Sequence, residues 1–142
     1  MFKICSEPLD LNHLTQLVTT PKAGAINHFV GITRGNQGTE EVTHLEYEAY
    51  ESMAIKMMED LGAQAKKKFA IEKVAIHHRI GIVILSEASV IISVSSAHRG
   101  PAIEATHFLI EELKRVVPIW KKEFFQKGKA QWLANSQKPA TN

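Results

Sequence analysis

The sequence predicts an α+β fold, on three observations. Helical spacing of apolar residues is sustained in only two long segments, one from about residue 51 and one from Gly100-Pro101 to Pro118. Several shorter segments alternate apolar and polar residues or run through β-branched ones. Helices and strands do not follow one another in regular alternation, as a parallel α/β sheet would require.

Residues 2–5 read as a short strand. Asp10 is placed to cap a brief helix carrying Leu11, Leu14, Leu17 and Val18, which Thr19-Thr20-Pro21 ends. Residues 24–33, GAINHFVGIT, alternate Ile26, His28, Val30 and Ile32 against Ala25, Asn27 and Phe29, the pattern of a strand. RGNQGTEE follows as a turn-rich loop. In residues 42–50, VTHLEYEAY, Leu45 and Tyr47 share one face, with His44, Glu46 and Glu48 on the other.

The first long helix places Met53, Met57, Leu61 and Ala65 on its buried stripe, with Lys66, Lys67 and Lys68 as a solvated end. Strands resume over 73–81, 81–85 and 88–96. The second long helix opens near Gly100-Pro101, where proline suits a first turn. Ala102, Ala105, Leu109, Leu113 and Val116 share one of its faces, while Glu104, Glu111 and Arg115 share the opposite one. Lys114 falls on the border. Pro118 breaks the helix before IWKKEFF. Residues 1–135 are expected to form one domain, with 136–142 as a frayed tail.

The composition narrows the function. Hydrophobic residues at 44% and charged residues at 23% fit a globular chain that buries a core. A net charge of +2 falls short of a nucleic-acid footprint but permits an anionic small molecule. A single cysteine, Cys5, excludes an internal disulfide and a multi-cysteine zinc site. Neither a signal peptide nor a membrane span is legible, so a cytoplasmic protein without membrane partners is expected.

Three groups of residues are candidates for chemistry. In SSAHRGPAIEA, residues 95–105, a β-branched run gives way to His98 and Arg99 just before a helix. A helix N-terminus with an arginine fork suits a phosphate or carboxylate, and a polar connecting loop accounts for the same residues equally well. Arg34 leaves a strand carrying Phe29 and enters the loop Gly35-Asn36-Gln37-Gly38. Lys114 lies beside apolar residues, and Lys121-Lys122 follow Trp120. A lysine near apolar surface and other cations loses its proton more easily, although lysines also snorkel routinely from helix borders. His77 and His78 are adjacent on a strand and so point to opposite faces, which argues against a shared metal ion.

Taken in order, GAINHFVGITRG, LEYEAYESMA, IHHRIG, SVSSAHRGPAIEA and LKRVVPIWKKE resemble the large, catalytic subunit family of molybdopterin synthase, over residues 6–134. The resemblance implies an α/β hammerhead with an added antiparallel sheet. It implies an enzyme that makes the dithiolene of molybdopterin from cyclic pyranopterin monophosphate (precursor Z) and needs no cofactor or metal. The sulfur would come from a ubiquitin-like small subunit with a C-terminal thiocarboxylate, in a heterotetramer built on a homodimer of large subunits. Lys114 and Lys121 match the family's catalytic lysines. Phe29, Ile32, Thr33, Arg34, His98, Arg99, Lys122 and Glu123 match residues of its substrate pocket. One difference is that Trp132 is followed by Leu-Ala-Asn-Ser, without the arginine that some members contribute across the dimer. A different class, a non-catalytic module binding a ubiquitin-like tail or a phosphorylated ligand, remains the alternative.

Overall fold

The computed structural model describes residues 1–38, 40–126, 128 and 130–134. The chain order is β1 (Phe2–Cys5), α1 (Leu11–Val18), β2 (Ala25–Ile32), β3 (Asn36–Gln37), β4 (Glu40–Ala49) and α2 (Glu51–Lys68). Then follow β5 (Lys73–Arg79), β6 (Gly81–Ile84), β7 (Ala88–Ser96), α3 (Arg99–Val116), β8 (Ile119–Phe125) and β9 (Ala130–Ala134). The fold is α+β. The expected tail, 136–142, lies outside the described residues.

Two sheets divide the strands. The first has the order β1-β5-β7-β2, with β1 parallel to β5 and the remaining pairs antiparallel. The second is antiparallel, in the order β3-β4-β8-β9, and β6 also pairs with β4. The chain passes from the first sheet to the second between β5 and β6. Gly81 sits there with φ +84°, a left-handed conformation that glycine adopts without a Cβ clash.

The first sheet is covered on both faces. Ala75 and Ile91 pack with Leu14 and Val18 of α1. Val74, Ile76, Ile92 and Val94 belong to the larger core, shared with Leu61 and Met58 of α2 and Leu109 and Leu113 of α3. Period-two alternation along β5 assigns neighbouring side chains to different layers. His77 faces α1, its ring centroid 5.9 Å from that of His13, while His78 faces the other way, 5.1 Å from Tyr47. Asp10 caps α1 as its sequence predicts, its Oδ1 accepting from the backbone N–H groups of Asn12 and His13.

Three local expectations change. The buried stripe of α2 is Ala54, Met58, Leu61 and Ala65, and Met53 is left 51% exposed. Small residues explain the rotation, because a Cβ at Gly62 would stand 2.5 Å from the ring of Phe2. The helix therefore lies close on β1, and Met53 turns outward. The loop after Arg34 contains a short strand, β3, which pairs with the start of β4. The segment after Pro118 is also a strand, β8, held between β4 and β9.

Candidate functional site

A cavity of about 280 Å³ opens where the two sheets and the last turns of α3 meet. Phe29 to Ile32 of β2 form one wall, followed by Arg34. Leu45 and Tyr47 of β4, His78 at the end of β5 and Ser89 at the start of β7 form the floor. Ile110, Leu113 and Lys114 enter from α3, and Lys121 and Glu123 from β8. Pocket sites of this kind are concave, largely apolar and marked by a few convergent polar groups.

Each charged group is positioned by its element. Lys114 follows the buried Leu113 in the last turn of α3, half-buried at the edge of the apolar face. The chain turns after Val117 and re-enters as β8, where Lys121 sits opposite Tyr47 and Glu123 opposite Leu45. Cross-strand partners share a face, so Lys121 and Glu123 point with the apolar residues of β4 into the cavity. Glu123 is 2% exposed. Arg34 lies just beyond β2 on a tethered segment. The Thr33 N–H donates to the Glu87 carbonyl at 3.0 Å, and the Ser86 N–H donates to the Thr33 carbonyl at 2.9 Å.

The floor is a low-dielectric environment. Burial raises the Tyr47 hydroxyl above its ordinary value, a hydrogen bond with Ser89 opposes the rise, and the Glu123 carboxylate adds to it. Burial, reinforced by the Lys114 charge and partly opposed by a hydrogen bond to the Arg79 backbone, lowers His78 to about 4. Both groups are neutral at physiological pH.

The structure therefore brings together Lys114, Lys121, Arg34, Phe29, Ile32 and Glu123. It does not bring Lys122 into the cavity. Alternation along β8 turns Lys122 to the other face, where its ammonium lies 5.2 Å from the ring centroid of Phe124 and 5.3 Å from that of Trp132. Thr33 is buried behind the wall rather than lining it. His98 and Arg99 are exposed at the start of α3, whereas Lys114 is near its end. Lys114 follows Arg99 by fifteen positions along the helix, a span of about 22 Å. One copy of the chain cannot gather all these residues around one small ligand. Tyr47 and Ser89 are cavity residues that sequence patterns did not single out for function, and His78, weighed there only as a metal ligand, joins them. Among the described residues, no cluster of three or more metal-ligating side chains occurs.

Residues 4–116 match the family model described as MoaE protein. The chain belongs to the MoaE family. Its sequence is 42% identical over 137 residues to the molybdopterin synthase catalytic subunit of Bos taurus, covering 96% of this chain and 72% of that one. It is 43% identical over 143 residues to the Taeniopygia guttata protein of the same name, covering 96% and 92% of the two chains. The crystal structure of molybdopterin synthase from Staphylococcus aureus superposes with a TM-score of 0.88 at 35% identity, over 93% of this chain and 96% of that one. This MoaE-family chain thus shares both sequence and fold with catalytic subunits, and its cavity contains the two lysines expected from the resemblance. No helix among its described residues is long and apolar enough to cross a membrane.

Proposed function

We propose that the chain transfers sulfur from a thiocarboxylated, ubiquitin-like small subunit to cyclic pyranopterin monophosphate, forming the molybdopterin dithiolene. The observation that carries this reading is the convergence of Lys114, Lys121 and Arg34 on one cavity that Cys5 does not line. Cys5 is on β1 and its thiol faces the Glu7 carbonyl at 3.6 Å. A sulfur-transferring site without its own thiol must receive sulfur from a partner, and an extended C-terminal tail is a suitable carrier.

The cavity residues divide the work. Arg34 offers a planar fork to the substrate phosphate, and Phe29 and Ile32 give the pterin an apolar wall. Lys114 and Lys121 face the reacting centre. Two like charges on one small cavity disfavour each other, which favours one amine in its neutral form as nucleophile or base. Once the thiocarboxylate sulfur has bonded to the pterin, the other lysine, still protonated, stabilises the oxyanion formed as water adds to the tail's carbonyl carbon. The acyl C–S bond then breaks, the sulfur stays on the pterin and the small subunit leaves as a carboxylate. His98 and Arg99 serve the phosphate from a second copy of the chain, because α3 is too long for them to reach the cavity of their own. A homodimer with one small subunit at each end accommodates this arrangement, and the cytoplasm is its expected location.

Reconstitution tests the reading. The chain, the thiocarboxylated small subunit and the pyranopterin substrate together should yield molybdopterin. A small subunit lacking its last two residues should give none, even where the globular surfaces still associate. Full product from the truncated partner would refute tail delivery. Binding of both ligands without any dithiolene would favour the non-catalytic module.

A further inference from the structure

His78 is buried to 2% exposure, yet it borders the same cavity as Lys114. Its surroundings are fixed from several elements. From β4, Tyr47 meets the imidazole edge-on, with ring planes 67° apart. On its own strand, His78 Nδ1 lies 2.9 Å from the carbonyl oxygen of Arg79. From α3, Lys114 lines the same cavity, and its charge helps to lower the pKa of the ring. Arg34, Lys121 and Glu123 are the other charged groups lining the cavity.

A carbonyl oxygen only accepts, so Nδ1 carries the hydrogen in that contact. In a neutral ring this fixes the tautomer and leaves the lone pair on Nε2. Burial and the Lys114 charge lower the ring's pKa to about 4, so it is neutral at physiological pH. The cavity lining thus holds both an obligate acceptor and an ammonium, which can only donate. Lys114 has three hydrogens to donate, so a bond to His78 leaves others for a second partner or for substrate.

We propose that His78 is a positioning residue for Lys114, its Nε2 accepting a hydrogen bond from the ammonium and aiming that group into the cavity. The purpose of this contact rests on the sulfur-transfer reading. Its existence does not. The bond favours the charged form of Lys114 until substrate or partner draws the amine away, so His78 sets both where Lys114 points and how readily it gives up its proton.

Nitrogen-15 NMR of the full chain, free of ligands, tests the contact from both sides. In Lys114→Met the His78 Nε2 resonance should move toward that of an unbonded lone pair, with Nδ1 unchanged. In His78→Leu the titration midpoint of Lys114 Nζ should fall by about one to two pH units, the effect of losing one hydrogen bond to a charged group. His78→Gln, which keeps an acceptor, should recover most of that shift. An unmoved Nε2 resonance in Lys114→Met overturns the proposal, and this arm stands alone if His78→Leu does not fold. In the reconstituted reaction, His78→Leu should lower kcat with little change in KM, and His78→Gln should restore it in part. If the unaltered protein makes no molybdopterin, the sulfur-transfer reading fails while the NMR result still decides the contact.

Discussion

Lys114→Ala and Lys121→Ala should each slow single-turnover molybdopterin formation by at least about 10²-fold, the loss expected on removing a positioned acid–base group. The expectation follows from how the two lysines arrive. One ends a helix and the other enters on a strand, and the turn through Pro118 brings both to the same cavity. Neither supports the core, since both are half-buried at its edge, so folding and partner binding should survive. Arginine is the informative replacement. It keeps the positive charge but cannot release its proton at accessible pH, and should rescue poorly at either site. Wild-type rates in both Lys114→Arg and Lys121→Arg would exclude proton transfer and nucleophilic attack by these residues, leaving electrostatic stabilisation alone.

Leu109→Ala should lower the free energy of unfolding by about 2–5 kcal/mol, the usual range for emptying a fully buried leucine site. Leu109 has no exposed surface and lies in the main core, on the helix that delivers Lys114. The same helix supplies its control. Ile103 is 51% exposed, and Ile103→Ala should change stability by no more than about 0.5 kcal/mol. Urea unfolding of the two variants makes the comparison. A loss below about 1 kcal/mol for Leu109→Ala would mean that the core closes around the vacated volume.

Much of this architecture is legible in the sequence because period reports burial directly. The face Ala102, Ala105, Leu109 and Leu113 is the buried face of α3, and Leu45 and Tyr47 are the buried side of β4. The reading fails where size matters more than period. On α2, Ala54 and Gly62 permit close approach, so the stripe rotates away from the larger Met53. It fails also at β3, whose two polar residues carry no apolar alternation and form a strand only by pairing with β4.

The candidate site divides along the same line. Lys121 and Glu123 are two residues apart on a strand and share the cavity, whereas the intervening Lys122 must face away. Resemblance to a family cannot supply that distinction, but strand alternation does. Alternation also separates His77 from His78. Which of them meets the cavity depends on the helix covering each side of the sheet, and that is a tertiary fact.

The length of α3 makes its two ends genetically separable. In the proposed homodimer, each pocket takes its lysines from one copy and its helix N-terminus from the other. Chains carrying Lys114→Ala and chains carrying Arg99→Ala are then defective in different halves of a shared object. When they pair, one pocket inherits both lesions and the other inherits neither. Co-expressed, two crippled alleles regain turnover that each lacks alone, while the same two lesions placed on a single chain and paired with themselves regain nothing.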